Sequence, residues 1–215
     1  MITLLGGTKG GPGKTTVAIN LGVALALDGA QVLFIDADKQ RTLSKWHARR
    51  IENGHEPRMT LIEKRGNLHA VIADLAQHYD HVIVDVAGDD NEEMRTAMTI
   101  ADQLIVVLRA SQFDAETLEE FADVITTAKN FNPNLAARAL FSQVPTNAFE
   151  TETEDVNEYV REFEEVTALS TVFGHRKLFR DSVADGRGVL EMPTRSGSQG
   201  AAKAEVRALV AEVTV

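Results

Sequence analysis

Residues 2–16 read ITLLGGTKGGPGKTT, and VAINLGVALAL continues the chain to residue 27. An apolar run (2–7) enters a glycine-rich turn. Residues 14–28 then carry Val17, Leu21, Ala24 and Leu25 at helical spacing. Strand, glycine turn and helix in that order predict a phosphate-binding loop. Glycines let successive backbone N–H groups turn toward one anion, and larger side chains there would block it. The helix beginning near Lys14 adds the positive end of its dipole. In such a loop Lys14 reaches the β- and γ-phosphates, and the Thr15 hydroxyl faces Mg²⁺. The nucleotide-binding candidates here are Gly10, Gly11, Pro12, Gly13, Lys14, Thr15 and Thr16.

Outward from that loop, strands and helices alternate almost to the end of the chain. The remaining expected strands are 31–36, 59–63, 81–86, 103–108, 137–144 and 168–173. The remaining expected helices are 42–53, 67–78, 91–101, 114–130, 153–165, 175–185 and 199–213, with residues 186–199 read as loop. Apolar strands such as HVIVDV and QLIVVL suit a sheet covered on both faces. Strand–helix alternation with right-handed crossovers predicts an α/β fold: a doubly wound, mostly parallel sheet with helices on both faces. Neither a repeat nor a linker interrupts residues 1–215, so one ATPase domain is expected, with no DNA-binding domain before the first strand.

Two further strands end in carboxylates, at the sheet edge where ligands bind in such folds. QVLFID continues into ADKQ, placing Asp36 and Asp38 on the same side of an extended chain. HVIVDVAG ends in Asp85 and Gly88. Asp85 is suited to hold Mg²⁺ through water, and Gly88 to offer its N–H to a γ-phosphate. Asp89, Asp90, Glu92 and Glu93 follow, and are expected to favour the start of the next helix.

With Lys9 five residues before Lys14, the loop resembles the KGGxGKT[ST] mark of the ParA/MinD family of deviant Walker P-loop ATPases. The resemblance covers nearly the whole chain and is greatest to the small plasmid-type partition ATPases. It implies that Lys9 contacts phosphate across an ATP-sandwich homodimer, a role akin to an arginine finger. It further implies that Asp38 positions the attacking water and that Asp36 supports the Mg²⁺ shell. The family's D-x-D-P-Q motif carries Lys39 in place of proline here, which leaves the rigidity of that loop open. Adenine contacts, by the same resemblance, fall at the end of the sixth strand, where Gln143 and Pro145 stand.

The implied function is DNA segregation: Mg·ATP drives a dimer onto DNA without sequence preference, and a centromere-binding, ParB-like partner stimulates hydrolysis. The segment DADKQRTLSKWHAR also resembles ParA-like ATPases of conjugative DNA transfer, so conjugation machinery or another cargo is the alternative. A small-molecule kinase or amidoligase, and a nucleotide-gated binding module with negligible turnover, remain further alternatives. Candidate DNA contacts are Arg176, Lys177, Arg180, Arg187, Arg195, Lys203 and Arg207, which also read as ordinary surface residues. Arg41, Lys45, Arg49 and Arg50 form a second basic cluster.

The net charge of -10 opposes DNA binding except through a local patch. Residues 114–165 hold 13 acidic and 3 basic residues, which suit a solvated face or a docking surface for a basic partner. Cysteine is absent, which excludes disulfides and thiolate-bound metals. The N-terminus lacks the basic region of a signal peptide. The closing AKAEVRALVAEVTV has too few cations and bulky apolar residues for a membrane-surface helix. A cytoplasmic protein, on the nucleoid when ATP is bound, is expected.

Overall fold

The computed structural model describes residues 1–7, 10–109, 112–146, 160, 163–194 and 196–214, with side chains at 112–117 and 120 excepted. Seven parallel strands form one sheet: β1 (Ile2–Gly6), β2 (Val32–Ala37), β3 (Thr60–Glu63), β4 (His81–Val86), β5 (Gln103–Leu108), β6 (Ala136–Val144) and β7 (Thr167–Gly174). Their order across the sheet is β3-β2-β4-β1-β5-β6-β7. The chain therefore winds outward through β2 and β3, returns beside β1 as β4, and crosses to the other edge. All seven expected strands are present.

Side-chain alternation sorts the core into two layers. Leu4, Leu33, Ile35, Val82 and Val84 face one cluster, closed by α3 (His69–Leu75), α4 (Glu92–Met98) and α5 (Gln112–Lys129). Leu5, Phe34, Ile83, Ile105 and Val107 face the other. That layer is closed by α1 (Lys14–Leu27), α2 (Thr42–Glu52), α6 (Lys177–Ala184) and α7 (Gly197–Val213). Helices thus cover both faces, as the continuous apolar strands require. Helix α1 lies close against the sheet because Gly22 has no side chain: a Cβ there would sit 2.2 Å from Phe34 Cζ.

Expected and observed helices differ mainly at their ends, where α3 and α4 are shorter than the sequence pattern. The expected helix at 153–165 lies mostly outside the described residues. The stretch 186–199 is more ordered than a loop. It holds a 3-10 turn at Val189–Glu191 and the start of α7. Distant partners fix it: Asn20 Oδ1 accepts from Val189 N at 2.8 Å, and Arg50 Nη1 donates to Gly186 O at 3.1 Å. Such tertiary hydrogen bonds leave no mark on local sequence. No helix of the described residues is long and apolar enough to cross a membrane.

Candidate functional site

The loop between β1 and α1 leaves the sheet at its centre, between β4 and β5. Gly11 (φ 98°) and Gly13 (φ 99°) take left-handed conformations that favour glycine. Gly13 is the N-cap of α1, and no side chain caps this helix or adds a carboxylate to its first turn. No capping side chain or first-turn carboxylate competes there with an anion for the positive end of the helix. Thr8 and Lys9 lie outside the described residues.

Lys14 is 7% exposed. Burial lowers its pKa, while the carboxylates of Asp85, Asp38 and Asp89 act the other way. The sequence pattern assigned Asp89 only to a helix start, yet it belongs to the field around Lys14. Asn91 caps α4, its Oδ1 accepting from Met94 N at 2.8 Å. Glu92 and Glu93 occupy the first turn of that helix, as expected. Gly88 lies in the bend just before, between β4 and α4.

Thr15 Oγ1 donates to Asp85 Oδ2 at 2.7 Å, joining the glycine loop to the end of β4. Asp85 is 1% exposed, and its Oδ1 has no hydrogen-bond partner. Burial pushes its carboxyl up to about 7, with nearby Asp36 adding to the rise. Asp36 is its direct neighbour in the β2–β4 register. Two buried carboxylates side by side, one with an orphaned oxygen, form a site short of positive charge. That donor set fits Mg²⁺, which Thr15 and Asp85 would hold. The described residues contain no cluster of three or more acidic or histidine side chains able to hold a metal. Mg²⁺ commonly completes its shell with phosphate oxygens and water.

Asp36 has a further set of partners. Its Oδ2 accepts from Ser44 N (2.8 Å) and Ser44 Oγ (2.6 Å), and its Oδ1 from Asp38 N (3.1 Å). It thereby fixes the start of α2, whose N-cap, Arg41, offers no side-chain bond. Lys39 does not leave this loop loose. Gln40 N donates to Asp38 Oδ1 at 2.8 Å, and Arg41 N to Asp38 O at 3.0 Å. Arg65 also donates to Ala37 O at 2.6 Å and to Asp38 O. These bonds restrain the loop where the family's proline would.

A cavity of about 140 Å³ opens beside the loop, at the carboxyl ends of β6 and β7. Gly13, Thr16, Ser142, Gln143, Phe173 and Phe179 contribute to its lining. The Phe173 and Phe179 rings stack with centroids 4.9 Å apart. A recess with two stacked aromatic rings and polar side chains such as Ser142 and Gln143, next to a phosphate-binding loop, suits a nucleobase. Gln143 lines it and also donates from Nε2 to Gly11 O at 2.7 Å. Pro145 is exposed and is not part of the lining. Neither phenylalanine was among the sequence candidates: Phe173 read only as the end of the strand expected at 168–173, and Phe179 as part of the helix expected at 175–185. Their position at the carboxyl edge of the sheet is the signal that could have found them.

The candidate DNA residues are dispersed. Arg176 lines the cavity and pairs with Glu205 at 2.6 Å, with its side chain 12% exposed. Arg187 pairs with Asp185, Arg207 with Asp28, and Lys177 with Asp181. Arg180 is exposed at the cavity rim, Lys203 is half-buried on α7, and Arg195 lies outside the described residues. The second cluster does not form one basic surface. Arg41 and Lys45 are exposed, Arg49 is half-buried, and Arg50 is 1% exposed and paired with Glu191.

The CobQ/CobB/MinD/ParA nucleotide binding domain matches residues 4–189. Protein virC1 of Rhizobium rhizogenes is 28% identical over 66% of this chain and 64% of its own length. The chromosome partitioning protein ParA of Caulobacter vibrioides is 30% identical over 59% of this chain and 63% of its own. The chain thus spans just under two thirds of the length of each. A solved plasmid partition protein of Borrelia burgdorferi bound to AMPPNP aligns over 99% of both chains, with TM-score 0.73 and 15% identity. A Cyanothece McdA–ATP complex aligns over 100% of this chain and 97% of its own, with TM-score 0.75 and 16% identity. Such low identities speak to the fold alone: a P-loop NTPase sheet of the ParA/MinD kind. With the profile covering most of its length, the chain belongs to the CobQ/CobB/MinD/ParA family of nucleotide-binding domains.

Proposed function

We propose that residues 1–215 act as one ATPase unit that hydrolyses Mg·ATP to ADP and phosphate. The observation that carries this reading is the Thr15–Asp85 hydrogen bond at the loop, with Asp85 Oδ1 buried and without a partner in the field of Lys14. Bound Mg·ATP supplies the γ-phosphoryl group and the cation that neutralises it. The loop amides and the N-terminus of α1 hold the phosphates, and Lys14 contributes charge. Thr15 and Asp85 hold the cation, with Asp36 beside them. Asp38 orients the attacking water, and Gly88 N–H meets the terminal phosphate. Phosphoryl transfer of this kind depends on position and charge stabilisation.

In this reading Lys9 reaches across a sandwich homodimer formed with ATP. The dimer binds DNA non-specifically in the cytoplasm, on the nucleoid, and a ParB-like centromere-binding partner triggers hydrolysis. With Arg176, Arg187, Arg207 and Lys177 already paired, the exposed Arg180 is the first DNA contact to test. A second reading keeps the ATPase and makes the cargo conjugation machinery. The likeness of residues 36–49 to conjugative ParA-like ATPases favours it, and the chain is also similar to virC1 proteins.

The test is phosphate release and DNA retention by the purified protein. Phosphate release without any acceptor, together with ATP-dependent DNA retention that weakens with salt, is expected. Turnover that requires a small-molecule acceptor would overturn the reading in favour of a kinase. Asp38→Ala is expected to bind ATP and dimerise without hydrolysing it.

A further inference from the structure

The tip of the phosphate loop is gripped from outside. Gly11 O accepts from Gln143 Nε2 at 2.7 Å and from Arg109 Nη2 at 3.0 Å. Arg109 follows β5 and Gln143 lies near the end of β6, so two strand ends converge on one carbonyl. The peptide they hold is unusual. Its nitrogen belongs to Pro12 and has no N–H, so its only polar atom is the Gly11 oxygen. That oxygen has two lone pairs, and two side-chain donors meet it.

Gln143 carries a mark of constraint. Its φ is 59°, and only one other described non-glycine residue, Arg41, has a positive φ. Left-handed backbone at a residue of this type costs energy and persists where surrounding contacts over-determine it. The same side chain lines the recess suited to a base. Gln143 therefore touches both halves of the candidate nucleotide site.

We propose that Arg109 and Gln143 are positioning residues that set nucleotide affinity by locking the Gly11–Pro12 peptide, and that Gln143 couples the base recess to the phosphate loop. This rests on the nucleotide-binding reading above. A loop with glycines at positions 10, 11 and 13 has wide freedom to lose when a triphosphate orders it. Two bonds that hold its tip beforehand remove part of that cost. The guanidinium of Arg109 adds a fixed cation at the same tip.

The test measures dissociation constants for Mg·ATP and for inorganic tripolyphosphate, using the intact protein and the variants Arg109→Ala, Arg109→Lys and Gln143→Ala. Arg109→Ala is expected to weaken Mg·ATP binding about tenfold, the scale of one charge-assisted hydrogen bond, and Gln143→Ala about fivefold, the scale of a neutral one. The turnover rate at saturation is expected to stay within about twofold, so the loss appears in KM. Arg109→Lys is expected to recover most of the affinity, because lysine keeps both the charge and the donor. Gln143→Ala is expected to weaken ATP more than tripolyphosphate, which has no base to couple. The double variant should lose less than the product of the single losses, since both side chains act on one carbonyl.

If the parent binds Mg·ATP and both alanine variants bind it within twofold of the parent, the inference fails while the nucleotide reading survives. If the parent binds none, both fail. A fall in Tm with unchanged KM would assign the two residues to architecture and overturn the inference.

Discussion

Two clusters of buried charge lie at the two ends of α2, and they are built on opposite rules. In the first, Arg50 sends Nη1 and Nη2 to the two carboxylate oxygens of Glu191 at 2.9 and 2.8 Å. It also donates to Pro57 O and Gly186 O, and lies 5.7 Å from the Trp46 ring centroid. Every charge there has its partner. In the second, Asp36 and Asp85 stand side by side at the ends of β2 and β4, and Asp85 Oδ1 has no partner. The first cluster is finished without a ligand and works as architecture. The second is finished only when something positive arrives. Between Arg50 and Asp85, completeness of hydrogen bonding separates the structural charge from the poised one.

The largest effect is expected at the finished cluster. Glu191→Ala leaves Arg50 buried and unpaired, and urea unfolding should report a loss of about 3–5 kcal/mol. A much smaller loss would mean that water reaches Arg50, and the contrast would break.

The poised cluster should respond with the opposite sign. The Asp85 carboxyl, raised to about 7 when folded, stands near 3.8 when unfolded. A raised acid binds more protons in the folded state, so its contribution to stability is lost as pH climbs from about 4 through 7. Asp85→Asn removes that penalty. At pH 8 without nucleotide it should stabilise the protein by about 1–3 kcal/mol, part of the full linkage being offset by the unmet amide. The same variant should lose Mg·ATP binding. Thermal unfolding of parent and variant from pH 4 to 8 checks this, and a variant less stable than the parent at pH 8 would contradict it.

A smaller effect sharpens the boundary between the two clusters. Ser44→Ala removes one hydroxyl bond to Asp36 and keeps the Ser44 N–H bond. It should cost about 1 kcal/mol of stability. Turnover should fall, because Asp36 holds Asp38 N in the same loop. Unchanged turnover would separate the Asp36 network from the site.

The sheet was legible because its central strands β1, β2, β4 and β5 are nearly continuous apolar runs and helices alternate with the strands. The phosphate loop and Asp85 were legible because glycine, lysine, threonine and carboxylate must stand at fixed offsets from strand ends. Arg50 was not. At its place on α2 it looks like the end of a basic surface cluster, and the glutamate that buries it lies 141 positions away. Ser44 and Arg109 were hidden for the same reason: their partners are backbone or carboxylate atoms brought close only by the fold. The order in 186–199 likewise depends on Asn20 and Arg50, from α1 and α2.

Calorimetric titration of the folded protein with ATP, in the presence and absence of magnesium, tests the whole account most directly. Saturable uptake with magnesium, lost in Lys14→Ala and in Asp85→Asn, is the predicted result. Folded parent protein that takes up no ATP with magnesium, or an Asp85→Asn variant that binds Mg·ATP as the parent does, would contradict it.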